Sequence, residues 1–235
     1  MFKEYLLTIG LGNLVSQFNN IGLNTIVEDI FAAEIPQLSE EQIKNLYVYD
    51  VPKMSPDGSC SILEEKADKP YDLAETFGLE SDWKALRNHP QTIRLWRLQQ
   101  IVEKIYKETK VEWFGIYRSV KNSKGELVLV KEAYQGVFSR AEFPLNKEFA
   151  KKSNNSTVGL SGRAIVIQDI SAHAGAYYEC DGKVNSEFCV PILDSDNKII
   201  GIIDAEAFAK NHYTNERLLQ ITKVAYDLGQ KNLGL

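Results

Sequence analysis

The stretch Tyr178-Glu179-Cys180-Asp181-Gly182-Lys183-Val184-Asn185-Ser186-Glu187-Phe188-Cys189-Val190-Pro191-Ile192 sets thiols and carboxylates close together in the chain. Cys180 is followed by Asp181, a short polar loop and then Ser186-Glu187, which brings a nucleophile within reach of groups that give or take a proton. A second carboxylate pair, Asp204 and Glu206, closes the following strand. The two stretches are expected to converge on one pocket.

Alternation says which side chains can meet. In a strand over 186–193, Glu187, Cys189 and Pro191 share one face, and the apolar set Phe188, Val190 and Ile192 belongs against a helix layer on the other. Residues 194–197 read as a turn, so the strand over 198–207 pairs back as a hairpin with Ile200, Ile202, Asp204 and Glu206 on one face. Three carboxylates in one cleft cannot all stay ionised, because like-charge repulsion and desolvation raise at least one pKa. That group would be a proton donor at neutral pH.

The elements that position these residues are legible around them. Leu95, Leu98, Ile101, Val102, Ile105 and Tyr106 form an apolar stripe at helical spacing. Strands follow over 111–120, where Trp113 and Tyr117 point to the same side, and over 126–134. Residues 146–157 read as a polar loop, 159–164 as the start of a short helix, and 165–170 as a strand. Thr214 is placed to cap a last helix carrying Leu218, Ile221, Ala225 and Leu228. The order predicts an α+β fold: an antiparallel sheet with helices packed on one face, leaving the other to build a pocket under long loops.

Residues 1–90 are expected to form a mostly helical N-terminal extension of unknown role, ahead of a domain over 91–235. Ser39-Glu40-Glu41-Gln42 has capping-box spacing before Ile43, Leu46 and Tyr47. Residues 50–70, with Cys60 among them, read as a loop or tether.

Composition limits the function classes. The 235 residues are 44% hydrophobic and 25% charged, as in ordinary globular proteins, with a net charge of -5 and no basic face for nucleic acid. No apolar run approaches the ~20 residues of a membrane span. Three cysteines without metal-ligand spacing argue for reduced thiols in a cytoplasm and against bound metal.

The segment from about Gln91 to Leu235 resembles a GAF domain in Ser186-Glu187-Phe188-Cys189-Val190-Pro191-Ile192, then Ile200-Gly201-Ile202-Ile203-Asp204, then a final helix. Within that group it is most similar to free methionine-(R)-sulfoxide reductases. Their pattern has a Trp-x-Gly-x-Tyr strand, here Trp113 to Tyr117, a Cys-Asp step before Ser-Glu, here Cys180-Asp181, and an Asp-x-Asp strand end, here Asp204-Ala205-Glu206. The resemblance implies that Cys180 is the nucleophile, that Glu187, Asp204 and Glu206 hold the sulfoxide oxygen and the ammonium, and that Trp113, Tyr117 and Asp181 complete the substrate site. It further implies a homodimer, no bound cofactor, and a cysteine sulfenic acid reduced by another thiol. Where those reductases carry a cysteine before a helix-starting glycine, this chain has Ser161-Gly162. Cys189 is therefore a candidate resolving thiol, with thioredoxin or glutathione as an external one. The alternative is a non-catalytic signalling module that senses an amino-acid-sized ligand.

Overall fold

The computed structural model describes residues 1–18, 22–53, 65–175 and 181–234. The N-terminal part contributes helices α1 (Phe2–Thr8), α2 (Ile26–Ala32) and α3 (Glu40–Tyr47), a strand pair β1 (Val48–Tyr49) and β2 (Tyr71–Asp72), and the single turn α4 (Leu73–Thr76). The long helix α5 (Pro90–Thr109) leads into strands β3 (Trp113–Lys121), β4 (Leu127–Gln135) and β5 (Glu142–Pro144). Short helices α6 (Lys147–Ala150) and α7 (Asn154–Ser161) follow, then β6 (Ile165–Ile167), β7 (Ser186–Leu193), β8 (Ile199–Ala207) and the final helix α8 (Asn215–Gln230).

Six strands form one sheet in the order β5-β4-β3-β8-β7-β6, all pairs antiparallel. Period-two alternation sorts its residues as expected. Phe114, Ile116, Phe188, Val190, Ile192 and Ile203 face α5 and α8 and form the main core. Trp113, Tyr117, Leu129, Cys189 and Ile202 lie on the opposite face with Phe143 and Val158.

Both long helices start at a side-chain cap. His89 Nδ1 caps α5 by accepting from the Gln91 amide, with Pro90 in the first turn, and Lys110 ends it in the left-handed conformation. Thr214 caps α8 by accepting from the Arg217 amide. The capping box Ser39/Gln42 starts α3 with both reciprocal hydrogen bonds. Gly229 lets α8 press onto the end of β7, since a Cβ there would lie 1.9 Å from the Leu193 carbonyl oxygen.

The N-terminal residues complete the same core. Leu6, Leu14, Ile26 and Val27 are buried with α5 and α8, and the Tyr5 hydroxyl donates to the Pro191 carbonyl. Helix α2 lies against both α5 and α8, and α1 against α8. A second cluster joins Ile43, Tyr47 and Leu73 to Leu95, Val128 and Val130.

Two local expectations are corrected. Residues 146–157 are not a loop: Asn146 and Ser153 cap α6 and α7. Gly162 does not start a helix but ends α7, at φ 67°, which leaves Ser161 exposed in its last turn. The residues flanking the 50–70 stretch pair, Val48 with Asp72 and Tyr49 with Tyr71, and within it Pro52 bridges Lys66. Cys60 lies outside the described residues. The long helices share one face of the sheet as expected, and the short α7 occupies the other, against β7 and β8.

Candidate active site

Register builds the site. On adjacent strands β7 and β8, Glu187 stands opposite Glu206 and Cys189 opposite Asp204. On the other side of β8, Trp113 stands opposite Glu206 and Gly115 opposite Asp204. Side chains directly opposite have Cβ atoms about 5 Å apart, so the three carboxylates, Cys189 and Trp113 form one patch on the α7 face.

Trp113, Tyr117, Phe143, Asp181, Asp204 and Glu206, with Val137 and Ser139, line a cavity of about 20 Å³. The indole of Trp113 folds back along β3 over Gly115, where a Cβ would come within 2.2 Å of the ring. The spacing of tryptophan and glycine is therefore a packing requirement. Indole Nε1 donates to the Val137 carbonyl at 3.1 Å, and Tyr117 packs between Trp113 and Phe143 at ring distances of 6.1 and 5.6 Å.

Helix α7 supplies donors that periodicity did not reveal. Asn154 Nδ2 donates to both carboxylate oxygens of Glu187 at 3.2 Å, and Asn155 Nδ2 donates to Asp204 Oδ2 at 3.0 Å. Asp204 is only 3% exposed, and its Oδ1 has no hydrogen-bond partner. Burial raises the Asp204 pKa to about 7, with the Asn155 hydrogen bond and the Ala205 amide opposing the rise. Burial also pushes the Glu187 carboxyl well above the usual carboxylate range, the Asp204 charge adds to this, and Asn154 opposes it. The expected crowding of like charges is therefore present, although desolvation dominates it.

The cavity gathers five of the site residues expected from sequence: Trp113, Tyr117, Asp181, Asp204 and Glu206. Glu187 shares their face but lies behind Asn154 and is not among the lining residues. Cys189 is fully buried, and desolvation followed by the charges of Asp204, Glu187 and Glu206 holds its thiol well above its ordinary pKa. Cys180 lies outside the described residues, while its neighbour Asp181 accepts from the Lys183 amide at 2.9 Å. Among the described residues, no group of three or more His, Cys, Asp or Glu is placed to hold a metal, and no helix is long and apolar enough to cross a membrane.

A free methionine-R-sulfoxide reductase of Saccharomyces cerevisiae is 26% identical over 117 residues, which are 48% of this chain and 61% of that protein. The chain thus spans about three fifths of the length of the curated relative it matches. A solved type II free methionine-R-sulfoxide reductase from Thermoplasma acidophilum shares the fold, with a TM-score of 0.53 at 19% identity, covering 62% of this chain and 94% of that one. The model of the GAF domain matches residues 97–231, from within α5 to the end of α8. The chain belongs to the GAF domain family.

Proposed function

We propose that the chain reduces free methionine-(R)-sulfoxide to methionine, with Cys180 as nucleophile and Asp204 as proton donor. The observation that carries this reading is Asp204 itself, a buried carboxyl held near neutrality with Oδ1 unpartnered in a cavity walled by Trp113 and Tyr117. A yeast relative that is a free methionine-R-sulfoxide reductase supports the choice of substrate.

In this reading the Cys180 thiolate bonds to the sulfoxide sulfur while the oxygen takes the proton of Asp204. The net step passes that oxygen to the cysteine, so methionine is released and Cys180 becomes a sulfenic acid. Two external thiols then restore Cys180, giving their disulfide and water. Asp181 and Glu206 suit the substrate ammonium, and the aromatic wall suits its S-methyl group. Burial holds the Glu187 carboxyl, behind Asn154, well above the usual carboxylate range, which disfavours a second negative charge beside Asp204.

Recycling is assigned to glutathione or thioredoxin, in a reducing cytoplasm. Ser161 stands where the reductase pattern has its cysteine, and the burial of Cys189 with its raised pKa keeps that sulfur a thiol. The homodimer that the resemblance implies would have to accommodate α2, which lies against both α5 and α8. A cavity of about 20 Å³ holds roughly one water, so the cavity wall moves outward when an amino acid enters.

Methionine formation from the free (R)-sulfoxide with dithiothreitol as reductant tests the reading. The wild-type chain is expected to turn over, and Cys180→Ser to lose roughly 10³-fold or more. Absence of wild-type turnover would refute the enzyme, and retained binding of methionine would then make this a ligand-binding GAF module.

The role of Asp204 has its own signature. The Asn155 hydrogen bond favours the ionised carboxylate, so Asn155→Ala should raise the Asp204 pKa further. The falling limb of the kcat/KM profile, where Asp204 loses its proton, is expected to move up by roughly one pH unit. An unmoved limb between about pH 6 and pH 9 would take Asp204 out of the acid role.

A further inference from the structure

The wall of the cavity at Val137 and Ser139 is a turn over residues 136–140, and two sheet residues hold it. Trp113 Nε1 donates to the Val137 carbonyl, while Lys131 Nζ donates to both the carbonyl and the hydroxyl of Ser139 at 2.9 Å each. Lys131 is fully buried. Its ammonium lies 3.9 Å from the Tyr134 ring centre, 4.9 Å from that of Tyr49 and 6.0 Å from that of Trp113. Three ring faces thus stand in for part of the hydration that a buried ammonium loses.

Tyr49 comes from the N-terminal segment, far from the sheet in sequence. Its hydroxyl donates to the Lys131 carbonyl at 2.7 Å, and its ring packs against Tyr71 and Tyr134 at 5.6 and 5.5 Å. The outer side of the same turn faces an open groove of about 600 Å³ lined by Tyr49, Asp50, Tyr134 and Val137. Val137 also lines the small cavity, so the turn separates the two spaces. Where the turn sits decides how large a ligand the site admits.

We propose that Lys131 is a positioning residue of the site, fixing the turn that walls the cavity, and that Tyr49 of the N-terminal segment fixes Lys131. Residues ahead of the GAF-matched region thereby set the dimensions of the pocket within it. Lysine suits this place because one ammonium reaches both Ser139 oxygens from inside an aromatic cage, whereas a neutral side chain of the same length would leave both without that donor. The consequence for catalysis rests on the sulfoxide-reductase reading: Lys131→Met raises KM for the sulfoxide about tenfold and changes kcat less than about twofold.

Hydrogen–deuterium exchange of the full chain decides the proposal without reference to turnover. In Lys131→Met, and in Tyr49→Ala, amides of residues 136–141 are expected to exchange at least about tenfold faster, with β3 and β8 unchanged. Unchanged exchange in the turn, or an equal acceleration throughout the sheet, overturns the positioning role. Acceleration in Lys131→Met alone overturns the part assigned to the N-terminal segment. Should either variant fail to fold, Tyr49→Phe, which keeps the ring and removes the hydroxyl, gives the same reading on the turn. A wild-type chain without turnover would sink the reductase and leave this exchange result standing, so the two failures are distinct.

Discussion

Asp204→Asn is expected to stabilise the fold at about pH 8, by roughly 2–4 kcal/mol, while removing the proposed turnover. Buried at 3% exposure, Asp204 has a folded-state pKa of about 7, against about 3.9 for an aspartate in an unfolded chain. Between these values the folded state binds the proton and the unfolded state does not. Stability associated with this group is thus complete below about pH 4 and is lost as pH rises to about 7. Three pH units at 1.36 kcal/mol each come to about 4 kcal/mol, and the charge that Asp204 places on Glu187 disappears as well. An amide keeps the acceptor for Asn155 and carries no charge to desolvate. Urea unfolding at about pH 5 and about pH 8 reads the effect: the wild type should lose about 2–3 kcal/mol more stability between them than the variant, since about two of the three pH units fall in that window. Equal losses would mean that Asp204 titrates in the native state as it does in water.

Glu132→Ala is expected to destabilise the fold by about 3–5 kcal/mol, through a cluster remote from the proposed chemistry. Arg94 of α5 grips the Glu132 carboxylate with two hydrogen bonds, Nη1 to Oε2 at 2.5 Å and Nη2 to Oε1 at 2.7 Å. Arg118 of β3 brings Nε to 2.7 Å from Oε1 as an ion-pair contact. The guanidinium groups of Arg118 and Arg94 lie over the Phe77 ring, at 4.7 and 5.7 Å from its centre. Desolvation lowers the Arg118 pKa, and proximity to Glu132 restrains the fall. Without the carboxylate, two guanidinium charges remain among apolar neighbours and repel each other. Replacing all three residues with apolar ones of similar volume should cost far less, since no charge is then left without its partner. Urea denaturation of the two variants measures the difference. A loss under about 1 kcal/mol for Glu132→Ala would place the cluster in effective contact with water.

Parts of the molecule that follow from one element's periodicity were legible in the sequence. The stripe from Leu98 to Tyr106 and the alternation in 186–192 and 202–207 assigned faces that the structure keeps, because each meets one apolar layer; Leu95 packs in the second cluster, and Ile200, beside the register shift at Ile192/Leu193, packs against the main core rather than with Ile202. That α7 is a helix was not legible. Beside Val158 and Gly159 its buried residues are the polar Asn154, Asn155 and Ser156, and the sheet face beneath the two asparagines carries Glu187 and Asp204. With polar side chains filling most of its buried side, α7 shows only Val158 where an apolar stripe would stand. The Lys131 cage and the Glu132 cluster were equally hidden, since each depends on partners up to 82 residues away. The carboxylate site was legible in outline because Glu187, Asp204 and Glu206 sit on one hairpin. Its division into a cavity-lining pair and a shielded Glu187 needed α7 in place.

The central claim is that one cysteine, Cys180, receives the oxygen of a free sulfoxide. A single-turnover experiment tests it most directly: the fully reduced chain is mixed with one equivalent of free methionine-(R)-sulfoxide without any added thiol, then trapped with a sulfenic-acid reagent. The account predicts about one methionine per chain and one trapped oxygen, located by peptide mass spectrometry on Cys180. No methionine, or an oxygen located on Cys189 or Cys60 instead, would contradict it.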